Sequence, residues 1–110
     1  MMSVNLRSFG TRLAIAAAIT SLYLGVARAE ETAVMIDNFT FEPKQLTVKV
    51  GTTVTWKNRD DIPHTIVSAG KFRSKTLDTD DSFSFTFTAT GDYKYFCSLH
   101  PHMTGTIKVE

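Results

Sequence analysis

The sequence predicts an all-β domain, a sandwich of short antiparallel strands, preceded by an export segment. Beyond residue 30, β-branched and aromatic residues alternate with polar residues at a period of two. Gly, Asn or Asp residues separate these segments, and none of them shows helical periodicity over three turns. Several short strands without helices pack as a sandwich or a barrel with a shared aromatic core.

The first 29 of the 110 residues have the pattern of a secretory signal peptide. Arg7 and Arg12 precede an apolar stretch, 13–26, and residues 27–29 read Ala-Arg-Ala. A positive start, a short apolar centre and an Ala-x-Ala end predict cleavage after Ala29. The apolar stretch is shorter than the roughly 20 residues that a membrane-spanning helix needs. We therefore predict a signal peptide at 1–29, one domain at 30–110, and a periplasmic or otherwise exported protein.

The charge of residues 30–110 excludes two classes of partner. Without the three arginines of the first 29 residues, the domain has 9 basic and 11 acidic residues, which gives a net charge of −2 with neutral histidines. Nucleic-acid binding needs a concentrated basic face, and stable attachment to a membrane surface needs a polybasic segment. The sequence predicts neither.

Three strands are predicted between residues 33 and 58. Residues 33–36 form an apolar segment. In 46–50 and 53–56, apolar residues alternate with Thr or Lys, and Gly51 and Asn58 follow these segments. The alternation indicates that one face of each strand is buried.

The second half of the domain contains four more strand segments. Residues 65–67 form a brief strand, and 83–87 have a Phe at every second position, the strictest alternation in the chain. In 93–97 two tyrosines lead to a cysteine with the same spacing, and 107–109 follow a glycine. The charged and irregular stretch 69–81 is predicted to be a connecting loop.

The only cysteine, Cys97, opens a segment that contains His100, His102 and Met103. A lone cysteine in an exported protein is a free thiol, half of an intermolecular bridge, or a metal ligand. A buried, inert cysteine is also common in β cores, but the nearby donors favour ligation. With His64, the set comprises thiolate, imidazole and thioether donors. Such a mixture suits a copper ion that cycles between Cu(I) and Cu(II).

His100 and His102 compete for one ligand position. Adjacent side chains in an extended backbone point to opposite sides, so His102 and Met103 would not converge. Cys97, His100 and Met103 form a Cys-x-x-His-x-x-Met motif. A compact loop with that spacing, stiffened by Pro101, can direct three side chains to one point. We therefore predict that His100 is the ligand and that His102 is a solvent-facing loop residue. The alternative role for His102 is to tune partner docking or its pH dependence.

The remaining assignments concern His64 and two methionines. Met35 lies between two apolar strand residues and is predicted to fill the core. Met103 is predicted to lie in a loop without apolar neighbours, where a weak axial ligand explains it better. His64 follows a turn, 60–63, and completes two nitrogens and one thiolate, the trigonal set of a blue copper centre. Zinc also uses Cys and His but seldom takes a thioether, so copper is favoured.

Residues 35–110 resemble a cupredoxin, most of all the amicyanin and plastocyanin group. The resemblance is carried by Phe39-Thr-Phe-Glu-Pro, by Val50-Gly-Thr-Thr-Val-Thr-Trp-Lys-Asn, by Ile62-Pro-His and by residues 91–103. The short Cys-x-x-His-x-x-Met motif is similar to that of amicyanins, since plastocyanins have a longer gap before the methionine. The resemblance implies a Greek-key β-sandwich, single-electron transfer, and one copper ion ligated by His64, Cys97, His100 and Met103.

Two residues depart from the pattern of this family. Thr65 stands where an asparagine often follows the first ligand histidine and helps to join the two ligand loops. A threonine hydroxyl can still make a hydrogen bond, so we expect the site to persist with altered tuning. His102 replaces a residue that is often apolar on the docking face.

The resemblance also implies how the electron leaves the site. The edge of the His100 ring is expected to reach the surface within an apolar patch. The predicted members of this patch are Ile62, Pro63, Pro101 and Met103. Two charged groups either steer a partner or are ordinary solvated surface: Asp60 with Asp61, and Lys71 with Arg73 and Lys75.

We therefore predict a monomeric electron carrier that meets redox proteins transiently, such as a dehydrogenase or a c-type cytochrome. The alternative is a copper-handling protein that stores or delivers the metal. An enzyme is not indicated, because protein donors fill all four candidate positions and no acid–base pair stands beside the motif.

Overall fold

The computed structural model describes residues 30–110, so the predicted signal peptide lies outside the described residues. Within this range the chain forms nine strands and no helix, and thus no helix that could cross a membrane. The strands are β1 (Glu31–Asp37), β2 (Thr40–Glu42), β3 (Gln45–Val48), β4 (Thr53–Asn58), β5 (Val67–Ser68), β6 (Phe72–Arg73), β7 (Ser82–Thr86), β8 (Gly91–Cys97) and β9 (His100–Val109). The predicted all-β class is confirmed.

The strands form two sheets with the orders β2-β1-β4-β7 and β3-β9-β8-β5-β6. The pairs β1–β4 and β3–β9 are parallel, and the other pairs are antiparallel. The expectation of purely antiparallel pairing is therefore wrong. A period of two shows which face of a strand is buried, but it does not show the direction of the neighbouring strand.

The core lies between the sheets and is rich in aromatic residues. Trp56 and Tyr95 are buried with ring centroids 5.4 Å apart, and Phe41 meets Tyr95 edge-on at 4.7 Å. Such edge-to-face contacts stabilise a core beyond the area that they bury. Met35 was predicted to fill the core, but 37% of it is exposed. Its two strand neighbours point inward, so the alternation turns Met35 outward.

The stretch 69–81 is more ordered than the predicted loop. It contains β6, which pairs with β5, and it buries Leu77 completely. Ser74 is also buried, and its hydroxyl accepts a hydrogen bond from the Ile66 amide at 2.9 Å. Single buried residues among charged neighbours give no periodic signal, which explains why the sequence did not reveal this packing.

The ring of Tyr95 packs so closely against the neighbouring strand that the residue opposite it must be a glycine. Gly105 pairs with it across β8 and β9, and a Cβ atom at Gly105 would lie 2.4 Å from the tyrosine ring. The Tyr95 hydroxyl is buried and makes no hydrogen bond with the described residues. Burial raises the pKa of Tyr95 to about 12, while the neighbouring Trp56 indole lowers it slightly.

We expect Tyr95→Phe to remove part of the alkaline instability of the protein. Because the pKa of folded Tyr95 is raised above its ordinary value of 10.0, the unfolded chain ionises this tyrosine at a lower pH than the folded protein does. The protein therefore keeps its full stability below pH 10 and loses part of it as the pH rises toward 12. Two pKa units correspond to at most about 3 kcal/mol. Urea unfolding at pH 8 and pH 11 measures the part of this loss that occurs below pH 11, about half of it or roughly 1.4 kcal/mol.

Tyr93→Phe is the matched control for that experiment, since the Tyr93 hydroxyl instead donates to the exposed Ala89 carbonyl at 2.8 Å. At pH 8, Tyr95→Phe should cost little, because the deleted hydroxyl has no partner. An unchanged loss of stability at pH 11 in Tyr95→Phe would contradict the argument.

Candidate metal centre

Cys97 and His100 lie on either side of a tight connection at one end of the sandwich. Cys97 ends β8, His100 begins β9, and the two residues are paired. Phe96 pairs with Thr104, so residues 101–103 form a bulge in β9. Pro101 suits this position because a proline cannot donate to the strand ladder. The prediction that Met103 lies in a free loop is therefore wrong, because this segment is part of a bulged strand.

His64 reaches the same place from a segment 33 residues before Cys97. Its backbone amide donates to the Leu77 carbonyl at 3.1 Å, and the Leu77 amide donates to the His64 carbonyl at 2.8 Å. Both side chains are completely buried. The stretch that the sequence presented as a loop thus fixes the backbone of a candidate ligand.

Three predicted donor atoms come together within 4.8 Å of one another, from His64, Cys97 and His100. The Cys97 Sγ lies 3.7 Å from Nδ1 of each histidine. For an ion of the size of zinc, metal–sulfur and metal–nitrogen bonds of about 2.3 and 2.0–2.1 Å diverging at about 120° would separate these donors by about 3.7 Å. Both sulfur–nitrogen gaps therefore fit a single first-row ion shared by Cys97 and the two histidines.

Met103 and His102 differ in burial, as the sequence predicted. Met103 is buried in the same cluster as Cys97, and His102 is exposed. Neighbouring residues of an extended strand face opposite sides, which accounts for the difference. The predicted solvent exposure of His102 is confirmed. Met103 lies in strand β9 rather than in a loop without apolar neighbours.

Thr65 joins the two segments that carry the donors, as expected. The Ser98 amide donates to its hydroxyl oxygen at 2.8 Å, and the Thr65 and Ser98 hydroxyls lie 2.8 Å apart. The Thr65 amide also donates to the Cys97 Sγ at 3.4 Å. Hydrogen bonds to a ligand sulfur stabilise its thiolate form and tune the metal that it binds.

Asp60 has a different role from the one that its sequence position suggested. Its carboxylate Oδ2 lies 2.8 Å from Nε2 of His64, and only 12% of its side chain is exposed. Burial raises the pKa of Asp60, but hydrogen bonds from Phe39, His64 and Asn38 lower it more, so it lies below the ordinary value of 3.8. The carboxylate is thus charged at neutral pH. It contacts the His64 ring at the nitrogen that is not directed at the Cys97 sulfur, whereas Asp61 is an exposed surface charge.

The surface above the donors contains two apolar residues that the sequence analysis missed. The ring of Phe39 is 45% exposed and lies edge-on to His64 at 5.6 Å and to His100 at 5.0 Å. Leu99, in the connection between Cys97 and His100, is 49% exposed. Exposed apolar residues without periodicity carry no signal in a sequence.

The exposed apolar residues beside the donor residues are here called the apolar end surface. They are Phe39, whose ring meets His100, Leu99 and Pro101, which flank the half-buried His100 in the chain, and Ile62 and Pro63, which directly precede His64. Met103 was predicted to belong to this patch, but it is buried beneath the surface.

Comparison with known proteins places this architecture in a family. A model of the cupredoxin-like domain matches residues 11–109. Amicyanin of Paracoccus denitrificans is 34% identical over 76% of this chain and 70% of its own length. Amicyanin-alpha of Methylorubrum extorquens is 30% identical over 94% of this chain and 97% of its own.

Solved structures show the same fold. A purple cupredoxin from Nitrosopumilus maritimus superposes with a TM-score of 0.69 at 36% identity, over 72% of this chain and 99% of its own. The Cu(I) form of an amicyanin mutant superposes with a TM-score of 0.70 at 34% identity, over 79% of this chain and 88% of its own. The expected Greek-key β-sandwich is thus confirmed, and the chain belongs to the cupredoxin-like domain family.

Proposed function

We propose that this protein carries single electrons between redox partners on one copper ion ligated by His64, Cys97, His100 and Met103. The observation that supports this most strongly is the 3.7 Å spacing between the Cys97 sulfur and Nδ1 of both histidines. Copper accepts this mixture of soft sulfur and borderline nitrogen, and a buried thioether suits its weak axial position. Solved relatives include a Cu(I) form of amicyanin, which is consistent with the assignment.

The ion supplies the one-electron chemistry, and the protein fixes its surroundings. Transfer is fast when the ligands barely move between oxidation states. His64 is fixed through backbone hydrogen bonds to Leu77, and Cys97 through Thr65. His100 begins β9 directly after the connection from Cys97 and is only half-buried. Its ring is therefore the proposed route by which the electron leaves.

The apolar end surface around His100 is the proposed docking site for transient partners. A partner seated there brings its own redox group close to the half-buried ring. We propose a dehydrogenase as donor and a c-type cytochrome as acceptor, and a monomeric carrier. The exposed charges of Asp61, Lys71, Arg73 and Lys75 are available to steer the encounter.

We also propose that residues 1–29 direct export and are removed after Ala29. The support is the pattern of two arginines, an apolar stretch and an Ala-x-Ala end. N-terminal sequencing of protein recovered from the periplasm of its host tests this directly. The expected first residue is Glu30, and a protein that retains residues 1–29 inside the cytoplasm would contradict the proposal.

Retention of copper separates a carrier from a copper-delivery protein. The four proposed donor residues are buried or half-buried and would hold the ion in both oxidation states. We therefore expect the copper-loaded protein to pass through repeated oxidation and reduction without losing metal. The measurement is the copper content after each cycle in the presence of a Cu(I)-specific chelator. Rapid transfer of copper to the chelator upon reduction would support delivery instead.

A further inference from the structure

We propose that Asp60 is a positioning residue for the copper centre, which orients His64 and holds the Phe39 turn through the same carboxylate. This inference rests on the proposed function and extends it to a residue outside the ligand set. Oδ2 of Asp60 lies 2.8 Å from Nε2 of His64 and accepts the Phe39 amide at 2.9 Å. Oδ1 accepts the Asn38 amide at 2.6 Å.

Hydrogen bonds fix the backbone of Asp60 at both its amide and its carbonyl group. Its amide donates to Oδ1 of Asn58 at 2.9 Å, and its carbonyl accepts the Thr79 hydroxyl at 2.6 Å. The Asn58 amide group in turn donates to the carbonyls of Ile62 and Leu77, both at 3.0 Å. The carboxylate therefore does not rest on a mobile side chain but on a connected set of hydrogen bonds.

The contact with Asp60 determines which nitrogen of His64 faces the sulfur. A carboxylate accepts but does not donate, so Nε2 must carry the proton, which leaves the lone pair of Nδ1 directed at the donor cluster. A carboxylate behind a ligating histidine fixes the orientation of its ring and increases its basicity. A more basic ligand favours Cu(II) over Cu(I) and thus lowers the reduction potential.

The two histidines of the site are not equivalent in this respect. His64 is completely buried and has a carboxylate behind its ring. His100 is half-buried, and its hydrogen bonds to the described residues are limited to the 3.7 Å contact between Nδ1 and the Cys97 sulfur. Among the described residues, the carboxylate contact therefore belongs to the buried histidine and not to the half-buried one.

The same carboxylate holds an unfavourable backbone in place. Asn38 and Phe39 are non-glycine residues with φ angles of 52° and 58°, a conformation that costs free energy at each position. Their two amide groups converge on Asp60. This arrangement lays the Phe39 ring against both histidine rings. The carboxylate thus connects the ligand, the aromatic cover and the turn.

The first test needs neither copper nor a variant. In ¹⁵N-labelled, metal-free protein at pH 8, nitrogen chemical shifts identify the protonated nitrogen of each histidine ring. We expect the proton of His64 on Nε2, with the downfield proton shift of a hydrogen bond to a carboxylate. The exposed His102 is the internal reference. A proton on Nδ1 of His64, or an Nε2 proton without such a shift, would overturn the inference.

The second test compares Asp60→Asn with Asp61→Asn in the copper-loaded protein. Both variants remove one carboxylate charge, but only Asp60 contacts His64. An amide has a single acceptor oxygen, so Asn at position 60 cannot serve the ring and both turn amides. We expect Asp60→Asn to favour Cu(I) by at least tenfold, an upward shift in potential of about 59 mV. Its Cu(II) affinity should fall by about 10–100-fold.

Asp61→Asn should change the potential much less. Equal shifts in the two variants would mean that the carboxylates act only as distant charges, and the positioning role would then be refuted. If Asp60→Asn does not fold, the experiment on the metal-free protein still decides the question. The two proposals also fail separately, because an uncoloured, irreversible copper complex contradicts the carrier function, whereas a wrong His64 tautomer contradicts only the role of Asp60.

Discussion

Addition of Cu(II) to the protein should give an intensely coloured complex, and Cys97→Ser should abolish that colour. A thiolate bonded directly to Cu(II) gives a strong charge-transfer band in the visible range, and Cys97 is the only thiol in the chain. A serine hydroxyl has nearly the same size, but it is a hard donor with a far higher pKa. Visible absorption during titration with Cu(II) measures the effect, and we expect the band to disappear completely.

Ser98→Ala is the matched control for the colour experiment. It removes a neighbouring hydroxyl that bonds to Thr65 and leaves the sulfur in place, so the band should persist with at most a modest shift. A colourless Cu(II) complex of the unmodified protein would refute the proposed ligand set. The same conclusion would follow from a Cys97→Ser variant that keeps its colour.

His100→Ala should also abolish the native copper centre, whereas His102→Ala should leave it intact. His100 places Nδ1 3.7 Å from the Cys97 sulfur, and His102, two residues away, is exposed. Removing one of three strong donors opens a coordination position near the surface. We therefore expect His100→Ala to lose the visible band and to recover part of it with added imidazole. Absorption and electron paramagnetic resonance spectra of the two variants check this.

The two histidine variants act as controls for each other, since each deletes one imidazole from the same bulged strand. The reverse outcome, with colour lost in His102→Ala and kept in His100→Ala, would show that the ligand assignment is wrong. Loss of colour in both would indicate that the segment tolerates no change, and His102→Gln would then test whether the size of the side chain matters.

The sequence predicted the features that local chemistry controls. Period-two alternation revealed most strands, because one face of each is buried against the core. The donor cluster followed from residue type and spacing, since few sites combine one thiol with nearby histidines and a methionine. Even the connecting role of Thr65 was accessible, because a hydroxyl beside His64 can still bond to the opposite segment.

The sequence could not show features that depend on contacts between distant segments. Met35 was misplaced because the four consecutive apolar residues 33–36 do not reveal which of them face inward. The parallel pairing of β1 with β4 depends on the path of the chain between the sheets. Asp60 looked like a surface charge, since its partners Asn38 and Phe39 lie more than 20 residues away. Such contacts leave no periodic signal.

The most direct test of the account is X-ray absorption at the copper edge of the Cu(II)-loaded protein, with the unmodified chain and Met103→Leu measured in parallel. We predict one short sulfur bond and two imidazole nitrogens around a single ion, with the same short bonds in Met103→Leu, because the thioether is the weak axial donor. A first coordination shell of oxygen and nitrogen alone would contradict the central claim that the Cys97 sulfur and the two facing imidazoles hold the copper.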